Sequence, residues 1–104
     1  MFKEIKKAPE TQEITTLLIK IEGLVQGVGF RAFILREANA RRLKGWVRNR
    51  LDGSVEAVAS GPTKQIESLI TACTRGPMGA RVSNIDLIST DPPQEPGFTM
   101  RATQ

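Results

Sequence analysis

The sequence predicts an α+β fold in which two helices cover one face of an antiparallel β-sheet. Two hydrophobic patterns carry this prediction. In several short segments apolar and polar residues alternate, which is typical of half-buried strands, and in two others apolar residues recur every three or four positions, which is typical of amphipathic helices. The chain has 104 residues, close to the commonest length of one domain, so we expect a single core.

The first half of the chain contains a predicted strand, a helix and a second strand. The first strand spans residues 15–23 and ends at a glycine, and the second spans residues 44–50. Between them a glycine-rich loop leads into a helix over residues 30–42, with arginines at its C-terminal end, where positive charge suits the helix dipole. The apolar positions behind these predictions are Leu17, Ile19 and Ile21 in the strand and Phe30, Phe33, Ile34 and Ala38 in the helix.

The second half begins with a hairpin and a helix. Asp52-Gly53 is a strong turn signal, so residues 44–50 and 54–60 are expected to pair with each other. Gly61-Pro62-Thr63 ends the hairpin and opens the second helix. The apolar stripe of this helix consists of Ile66, Leu69, Ile70 and Cys73.

Residues 81–90 and 98–102 are predicted as a fourth strand and a short fifth strand. The element order is then β-α-β-β-α-β followed by the fifth strand, the order of a ferredoxin-like α/β sandwich with both helices on one face of an antiparallel sheet. We expect residues 1–14 to form a flexible N-terminal tail and residues 15–104 to form the domain.

The residue types that are absent exclude several chemistries. The chain has no histidine and a single cysteine, so histidine bases, serine–histidine pairs and the usual zinc sites are excluded. A single cysteine allows no internal disulfide and suggests a reducing compartment. No apolar run is long enough to span a membrane, and the first residues do not resemble a secretory signal, so we expect a cytoplasmic protein.

Positive charge is concentrated in one segment. The net charge of the chain is +4, yet residues 31–50 alone carry +6, because seven basic residues there accompany a single acidic one. Such a segment implies an anionic partner, and small phosphates and nucleic acids are the main candidates. We expect a solvated face formed by Arg36, Arg41, Arg42 and Lys44, and core or near-core positions for Phe33, Trp46, Cys73 and Met78.

The loop between the first strand and the first helix is the main chemical signal. It reads Gly23-Leu24-Val25-Gln26-Gly27-Val28-Gly29-Phe30-Arg31. The glycines at positions 27 and 29 allow a tight turn that directs several N–H groups toward one place at a helix N-terminus, where the dipole is positive. The guanidinium of Arg31 can reach the same anion. The loop is therefore a candidate phosphate site formed by backbone amides and one arginine.

These residues by themselves leave other interpretations of the loop open. Gly27-x-Gly29-x-x-Ala32 matches a dinucleotide-binding pattern, but the next suitable acidic residue, Asp52, lies in a hairpin turn rather than at the end of a parallel strand. The phosphate loop of nucleoside triphosphatases is excluded, since no Gly-Lys-Ser/Thr follows. A plain glycine turn before a surface arginine would also give this sequence.

Asn49, late in the second strand, is the second signal. Asparagine is depleted in strands, and its side-chain amide can donate and accept hydrogen bonds at once, which suits the holding of a water molecule. The simpler interpretation is that Asn49 only begins the turn toward Asp52-Gly53.

Together the two stretches resemble the signature of the acylphosphatase family. The resemblance covers residues 17 to about 101. It includes the loop of residues 23–31, the segment Gly45-Trp46-Val47-Arg48-Asn49-Arg50-Leu51-Asp52-Gly53-Ser54-Val55, the pair Gly61-Pro62, and Gly76-Pro77-Met78-Gly79-Ala80-Arg81-Val82. It implies the same α/β sandwich, hydrolysis of acyl phosphates to a carboxylate and inorganic phosphate, and no requirement for a metal or cofactor.

The resemblance also implies roles for individual residues. Arg31 and the loop amides of Gln26, Gly27, Val28, Gly29 and Phe30 would bind the phosphoryl group, and Asn49 would orient the attacking water. The expected partners are a small acyl phosphate as substrate and inorganic phosphate as product and inhibitor. We expect a monomer with no membrane or nucleic-acid partner.

Two other functions are consistent with parts of the sequence. The N-terminal domain of hydrogenase maturation carbamoyltransferases resembles acylphosphatase, which would make the chain a module that handles carbamoyl phosphate. The zinc-binding and larger domains of those proteins have no counterpart here. The ferredoxin-like fold also serves RNA recognition, and Lys44-Gly45-Trp46-Val47 is similar to the start of an RNA-binding motif. However, Arg48-Asn49 stands where stacking aromatic residues are expected.

Overall fold

The structure, a computed structural model, describes residues 13–104. The predicted flexible tail of residues 1–14 lies outside the described residues except for Glu13 and Ile14, and it stays a prediction. Ile14 begins the first strand and pairs with Pro62 of the third.

Within residues 13–104, five strands and two helices follow one another in the predicted order. Their bounds are β1 (Ile14–Leu24), α1 (Phe30–Ala40), β2 (Lys44–Asn49), β3 (Val55–Pro62), α2 (Thr63–Arg75), β4 (Arg81–Ser89) and β5 (Phe98–Met100). This arrangement is the ferredoxin-like α+β fold that the sequence predicts. In this part of the chain, no helix has both the length and the apolar character needed to cross a membrane.

Several boundaries differ from the sequence-based expectation. β3 continues through Gly61 and Pro62, which were predicted to end it, and β2, β4 and β5 end one or two residues earlier than predicted. Two further differences, in β1 and α1, have a local cause. β1 does not end at Gly23, because its register against β4 shifts just before that residue and the strand then continues to Leu24. α1 ends at Ala40 rather than at Arg42, because Arg42 adopts a left-handed conformation with φ 57°. A left-handed residue cannot continue a right-handed helix.

The strands form one sheet in the order β4-β1-β3-β2-β5. β3 pairs antiparallel with both β1 and β2, and β4 pairs antiparallel with β1. The predicted antiparallel pairing is therefore confirmed for the four longer strands. The short β5 runs parallel to β2, which makes the sheet mixed at that edge.

The core lies between the two helices and one face of the sheet. Across that face Ile19 pairs with Ala57, which in turn pairs with Val47, so alternate residues of neighbouring strands meet beneath the helices. Each large apolar side chain that is fully buried here stabilises the fold by about 1.5–3 kcal/mol relative to its exposed state. The main buried residues are Ile19, Ile21, Val47, Val55, Ala57 and Ala59 of the strands, Phe30, Ile34 and Ala38 of α1, and Ile66, Leu69 and Cys73 of α2.

Trp46 does not lie in this core. It belongs to the opposite face of the sheet, where it pairs with Val58, and Val58 pairs with Leu18. The guanidinium carbons of Arg48 and Arg101 lie 4.8 and 4.4 Å from the centroid of the Trp46 ring. The aromatic ring is therefore covered by two cations rather than by the helices, and cation–π attraction favours this arrangement.

Met78 is the second departure from the expected core. Its side chain is 97% exposed in the connection between α2 and β4. Backbone hydrogen bonds donated by the N–H groups of Gly76 and Ala80 close this connection, so the turn does not require the methionine to be buried. Phe33 is partly buried against the core and contacts Phe30 edge to face, with 5.7 Å between the ring centroids.

The buried position of Cys73 predicts an unreactive thiol. Burial on the apolar face of α2, assisted by the nearby Glu37, raises the pKa of this thiol from an ordinary 9.0 to about 12. At neutral pH the reactive thiolate form is then much rarer than in a free thiol. We expect iodoacetamide to leave the native protein unlabelled while it alkylates the urea-unfolded chain completely, as measured by mass spectrometry. Equal labelling rates in the two states would contradict this burial.

Candidate active site

The predicted site residues come together at one end of the sheet. Because β3 is antiparallel to both β1 and β2, these two strands run in the same direction and their carboxyl ends lie at the same edge. Residues 25–29 connect the end of β1 to the start of α1, and Asn49 is the last residue of β2. The topology therefore brings the loop, Arg31 and Asn49 to one place.

The loop of residues 25–29 is shaped by two glycines and anchored by one valine. Val25 is buried in the core. Gly27 and Gly29 have φ angles of 78° and 79°, in the left-handed region that L side chains rarely adopt, although a Cβ at either position would meet no other atom. Glycine is thus required by backbone conformation and not by lack of space.

The loop amides and the helix start present unsatisfied donors. Among residues 13–104, none of the N–H groups of residues 26–30 donates to a backbone carbonyl. Gly29 is the N-cap of α1 and provides no side-chain cap, and the first turn holds no acidic residue. Free N–H groups at the positive end of a helix dipole attract an anion. The loop therefore has the donor arrangement expected of a phosphate site.

Arg31 follows this loop as the second residue of α1. It is half-buried in the first turn of α1, and none of the ion pairs formed within residues 13–104 includes it. Its guanidinium therefore retains its donors for an external anion.

Most other charges of the basic segment are either neutralised or exposed. Arg48 and Arg50 both donate to Oε1 of Glu56, at 2.8 and 3.2 Å, and Arg41 donates to Glu37 at 2.7 Å. The predicted solvated face is found for Arg36, Arg42 and Lys44, which are exposed, whereas Arg41 is half-buried. Within residues 13–104, three of the seven basic side chains of this segment are therefore paired with carboxylates.

Asn49 is half-buried at the end of β2, where it pairs with Val55. Its backbone carbonyl accepts a hydrogen bond from the N–H of Gln104 at 3.1 Å. Its side-chain amide takes part in none of the hydrogen bonds found within residues 13–104. The amide is therefore available to a water molecule or a ligand.

The turn after Asn49 is held by Asp52 instead. Oδ1 of Asp52 accepts hydrogen bonds from the N–H and the hydroxyl of Ser54, at 2.9 and 2.6 Å. Nζ of Lys20 lies 3.2 Å from Oδ2. The hydrogen bonds from Ser54, with a further contribution from Lys20, hold the pKa of Asp52 well below its usual range, and the ion pair raises the pKa of Lys20. Among residues 13–104, the Asn49 side chain forms none of the hydrogen bonds that hold this turn.

Gln26 has a contact that sequence reasoning did not anticipate. Its Nε2 donates to the carbonyl oxygens of Arg50 and Ser54, at 2.8 and 2.9 Å. The glutamine was expected to contribute its backbone amide to phosphate binding, and its side chain now joins the loop to the β2–β3 turn. No local pattern reveals this contact, because its two partners lie more than twenty positions further along the chain.

A surface depression lies apart from these residues. It has a volume of about 390 Å³ between α1 and the end of α2, and its lining includes Phe33, Arg36, Arg75 and Met78. Neither Arg31 nor Asn49 belongs to its lining. The predicted site is instead an open arrangement of loop amides at the end of the sheet.

Within residues 13–104, one end of a ferredoxin-like sheet thus holds loop amides without a backbone partner, a helix N-terminus and an arginine outside the ion pairs. This arrangement is typical of α+β proteins that bind anions. The model of the acylphosphatase family matches residues 17–100. The chain therefore belongs to the acylphosphatase family, as its two signature stretches predict.

Relatives and solved structures agree with this assignment. The acylphosphatase of Acidiphilium cryptum (strain JF-5) is 48% identical over 83 residues, covering 80% of this chain and 91% of the relative. The acylphosphatase of Moorella thermoacetica is 45% identical over 83 residues, covering 80% and 89%. The crystal structure of acylphosphatase from Bacillus subtilis superposes with a TM-score of 0.79 at 36% identity, covering 86% of this chain and 99% of that one.

Part of a much longer protein has a similar fold. The crystal structure of full-length HypF in its phosphate- and nucleotide-bound form gives a TM-score of 0.83 at 26% identity. The superposition covers 92% of this chain but 13% of HypF. The similarity therefore concerns one small part of that protein.

Because the ionised carboxylate of Asp52 holds the turn after Asn49, we expect the stability of the protein to depend on pH. A carboxyl group whose pKa is lowered by folding stabilises the native state above its unfolded pKa, here near 3.8, and this contribution is lost as the pH falls further. We expect Asp52→Asn to lower the Tm at pH 7, and the difference from wild type to shrink as the pH falls from about 4 toward 2. The control is Asp91→Asn, at an exposed position after β4. A Tm difference that stays constant with pH would refute the role of the carboxylate.

Proposed function

We propose that this chain hydrolyses the carboxyl–phosphate bond of small acyl phosphates to a carboxylate and inorganic phosphate. The observation that carries the proposal concerns residues 13–104. There the uncapped loop amides, Arg31 without an ion pair and the Asn49 side-chain amide without a hydrogen bond meet at one end of the sheet. Membership of the acylphosphatase family supports it.

The phosphoryl group binds first. The N–H groups of Gln26, Gly27, Val28, Gly29 and Phe30 donate to its oxygens, and the guanidinium of Arg31 donates to the same group in a bidentate manner. Donors that are already oriented stabilise the charge on these oxygens in the transition state without reorganisation. The α1 dipole contributes about half a positive charge at the same place.

Hydrolysis then requires a water molecule in line with the leaving group. The Asn49 amide accepts a hydrogen bond from this water and donates one to the phosphoryl group or to the water itself. The water oxygen forms a bond to phosphorus while the bond from phosphorus to the carboxylate oxygen breaks. The carboxylate leaves with the electron pair, and a phosphoryl oxygen takes the proton of the water. A carboxylate is a good leaving group, so the reaction needs no general acid.

The proposal also includes the oligomeric state, the compartment, the cofactor requirement and the inhibition of the enzyme. We propose a monomer that acts in the cytoplasm without a metal ion or cofactor and is inhibited by its product, inorganic phosphate. One cysteine, buried in the core, is compatible with a reducing compartment.

Turnover of an aryl acyl phosphate is the direct test of this function. The purified chain should hydrolyse benzoyl phosphate in excess chelator as fast as in its absence, as followed by ultraviolet absorbance. Inorganic phosphate should inhibit competitively, because substrate and product share the group that the loop binds. Absence of turnover by the folded chain would defeat the proposal, and loss of turnover in chelator would defeat its metal-free form.

Replacement of the arginine tests the phosphate site. Arg31→Lys keeps the charge but loses the planar pair of donors, so we expect kcat/KM to fall by about 10² or more and the inhibition constant of phosphate to rise. Arg36→Lys is the matched control, because Arg36 is an exposed arginine of the same helix, and its kcat/KM should equal that of wild type. Near-normal kcat/KM in Arg31→Lys would contradict the assignment of Arg31 to the phosphate site.

Replacement of the asparagine separates chemistry from binding. Asn49→Ala removes the amide assigned to the water, so kcat should fall on the order of 10²–10³-fold, while the inhibition constant of phosphate changes only a few-fold. The matched control is Asn39→Ala, at an exposed position of α1, with thermal melts recorded for both variants. Wild-type turnover in folded Asn49→Ala would contradict the assignment of Asn49 to the water. Weakened phosphate binding in this variant would instead indicate that Asn49 binds the phosphoryl group.

A further inference from the structure

The side chain of Gln26 connects the two halves of the proposed site. Gln26 lies between the buried Val25 and the left-handed Gly27, in the loop whose amides face the anion. Its Nε2 uses both of its protons, donating to Arg50 at 2.8 Å and to Ser54 at 2.9 Å. One amide group thus joins the phosphate loop to both sides of the β2–β3 turn, directly after Asn49 and directly before β3.

The two acceptor carbonyls belong to residues that adjoin Asn49 and its partner in β3. Arg50 directly follows Asn49, and its own N–H donates to the Ser54 carbonyl at 2.8 Å, which joins the two sides of the turn. Val55, the β3 partner of Asn49, directly follows Ser54. A displacement of this pair of carbonyls therefore moves Asn49 relative to the loop.

These hydrogen bonds are not needed to form the hairpin itself. The Arg50 carbonyl also accepts from the N–H of Gly53 at 3.1 Å, and the Ser54 carbonyl accepts from Arg50. The turn is additionally held by the Asp52 carboxylate. Each carbonyl therefore keeps a donor when Gln26 is replaced, so the cost in stability is small compared with that of an unsatisfied buried group.

We propose that Gln26 is a positioning residue, whose side-chain amide sets the distance and direction of Asn49 relative to the phosphoryl group held by the loop. The inference rests on the proposed function. A misplacement of reacting groups by about 1 Å can reduce a rate by about 10²-fold. Gln26 acts through Asn49, and its side chain does not touch the substrate.

Gln26→Met tests the inference, because methionine has a similar length and shape but no donor. We expect kcat on benzoyl phosphate to fall by about tenfold or more, with the inhibition constant of phosphate within about threefold of wild type. The matched control is Gln65→Met, at an exposed position of α2, which should keep wild-type kinetics. Thermal melts should show both variants folded at the assay temperature.

A double-mutant cycle with Asn49→Ala shows whether Gln26 acts through Asn49. If it does, adding Gln26→Met to Asn49→Ala should reduce kcat little further, because the residue being positioned is already gone. A full and independent loss of kcat in the double variant would overturn the inference. So would unchanged kcat in Gln26→Met, or a rise of the inhibition constant that matches the loss of rate.

The cycle separates this inference from the proposed function. Wild-type turnover in Asn49→Ala alone would defeat the assignment of the water and the inference with it. An impaired Asn49→Ala combined with independent effects of Gln26→Met would defeat the inference and leave the proposed function intact.

Discussion

The pairing of β3 with both β1 and β2 is the constraint on which the rest of the structure depends. Because β3 is antiparallel to each neighbour, β1 and β2 run in the same direction and finish at the same edge of the sheet. The loop of residues 25–29 follows one of these ends, and Asn49 forms the other. Another strand order would leave both motifs unchanged in sequence and separate them in space.

The same central strand, β3, carries a carboxylate that pairs with some of the positive charges and so limits which of them can bind an external anion. Glu56 of β3 pairs with the neighbouring Arg48 in the β2–β3 register and accepts hydrogen bonds from Arg48 and Arg50. Because its side chain is only 15% exposed, the carboxylate meets these guanidinium groups with limited screening by water. Among the residues that the structure describes, Arg31 of α1 has no such partner. Within residues 13–104, three basic side chains of this segment, Arg41, Arg48 and Arg50, are paired with carboxylates. Arg31, which follows the loop, is not among them.

Much of the fold could be predicted because local hydrophobic patterns indicate which side chains are buried. The alternation around Ile19 and the helical stripe through Leu69 both identify residues that the structure buries in one core. Predictions from residue type alone were less reliable. Trp46 was expected in or near the core but lies on the open face under Arg48 and Arg101, and Met78 is exposed in a turn that backbone hydrogen bonds already close. A large apolar side chain is more often buried than exposed, but the residues around it in the fold decide whether it is buried.

By itself, the sequence determined the order of the elements, the left-handed turns that require Gly27 and Gly29, and the two signature stretches that identify the family. These are local properties, set by periodicity, backbone conformation and residue order. Tertiary structure alone decided that β5 lies parallel to β2, that Asp52 rather than Asn49 holds the turn, and that Gln26 reaches Arg50 and Ser54. Such contacts join residues distant in sequence, and their geometry exists only after the strands have paired and the helices have packed on the sheet.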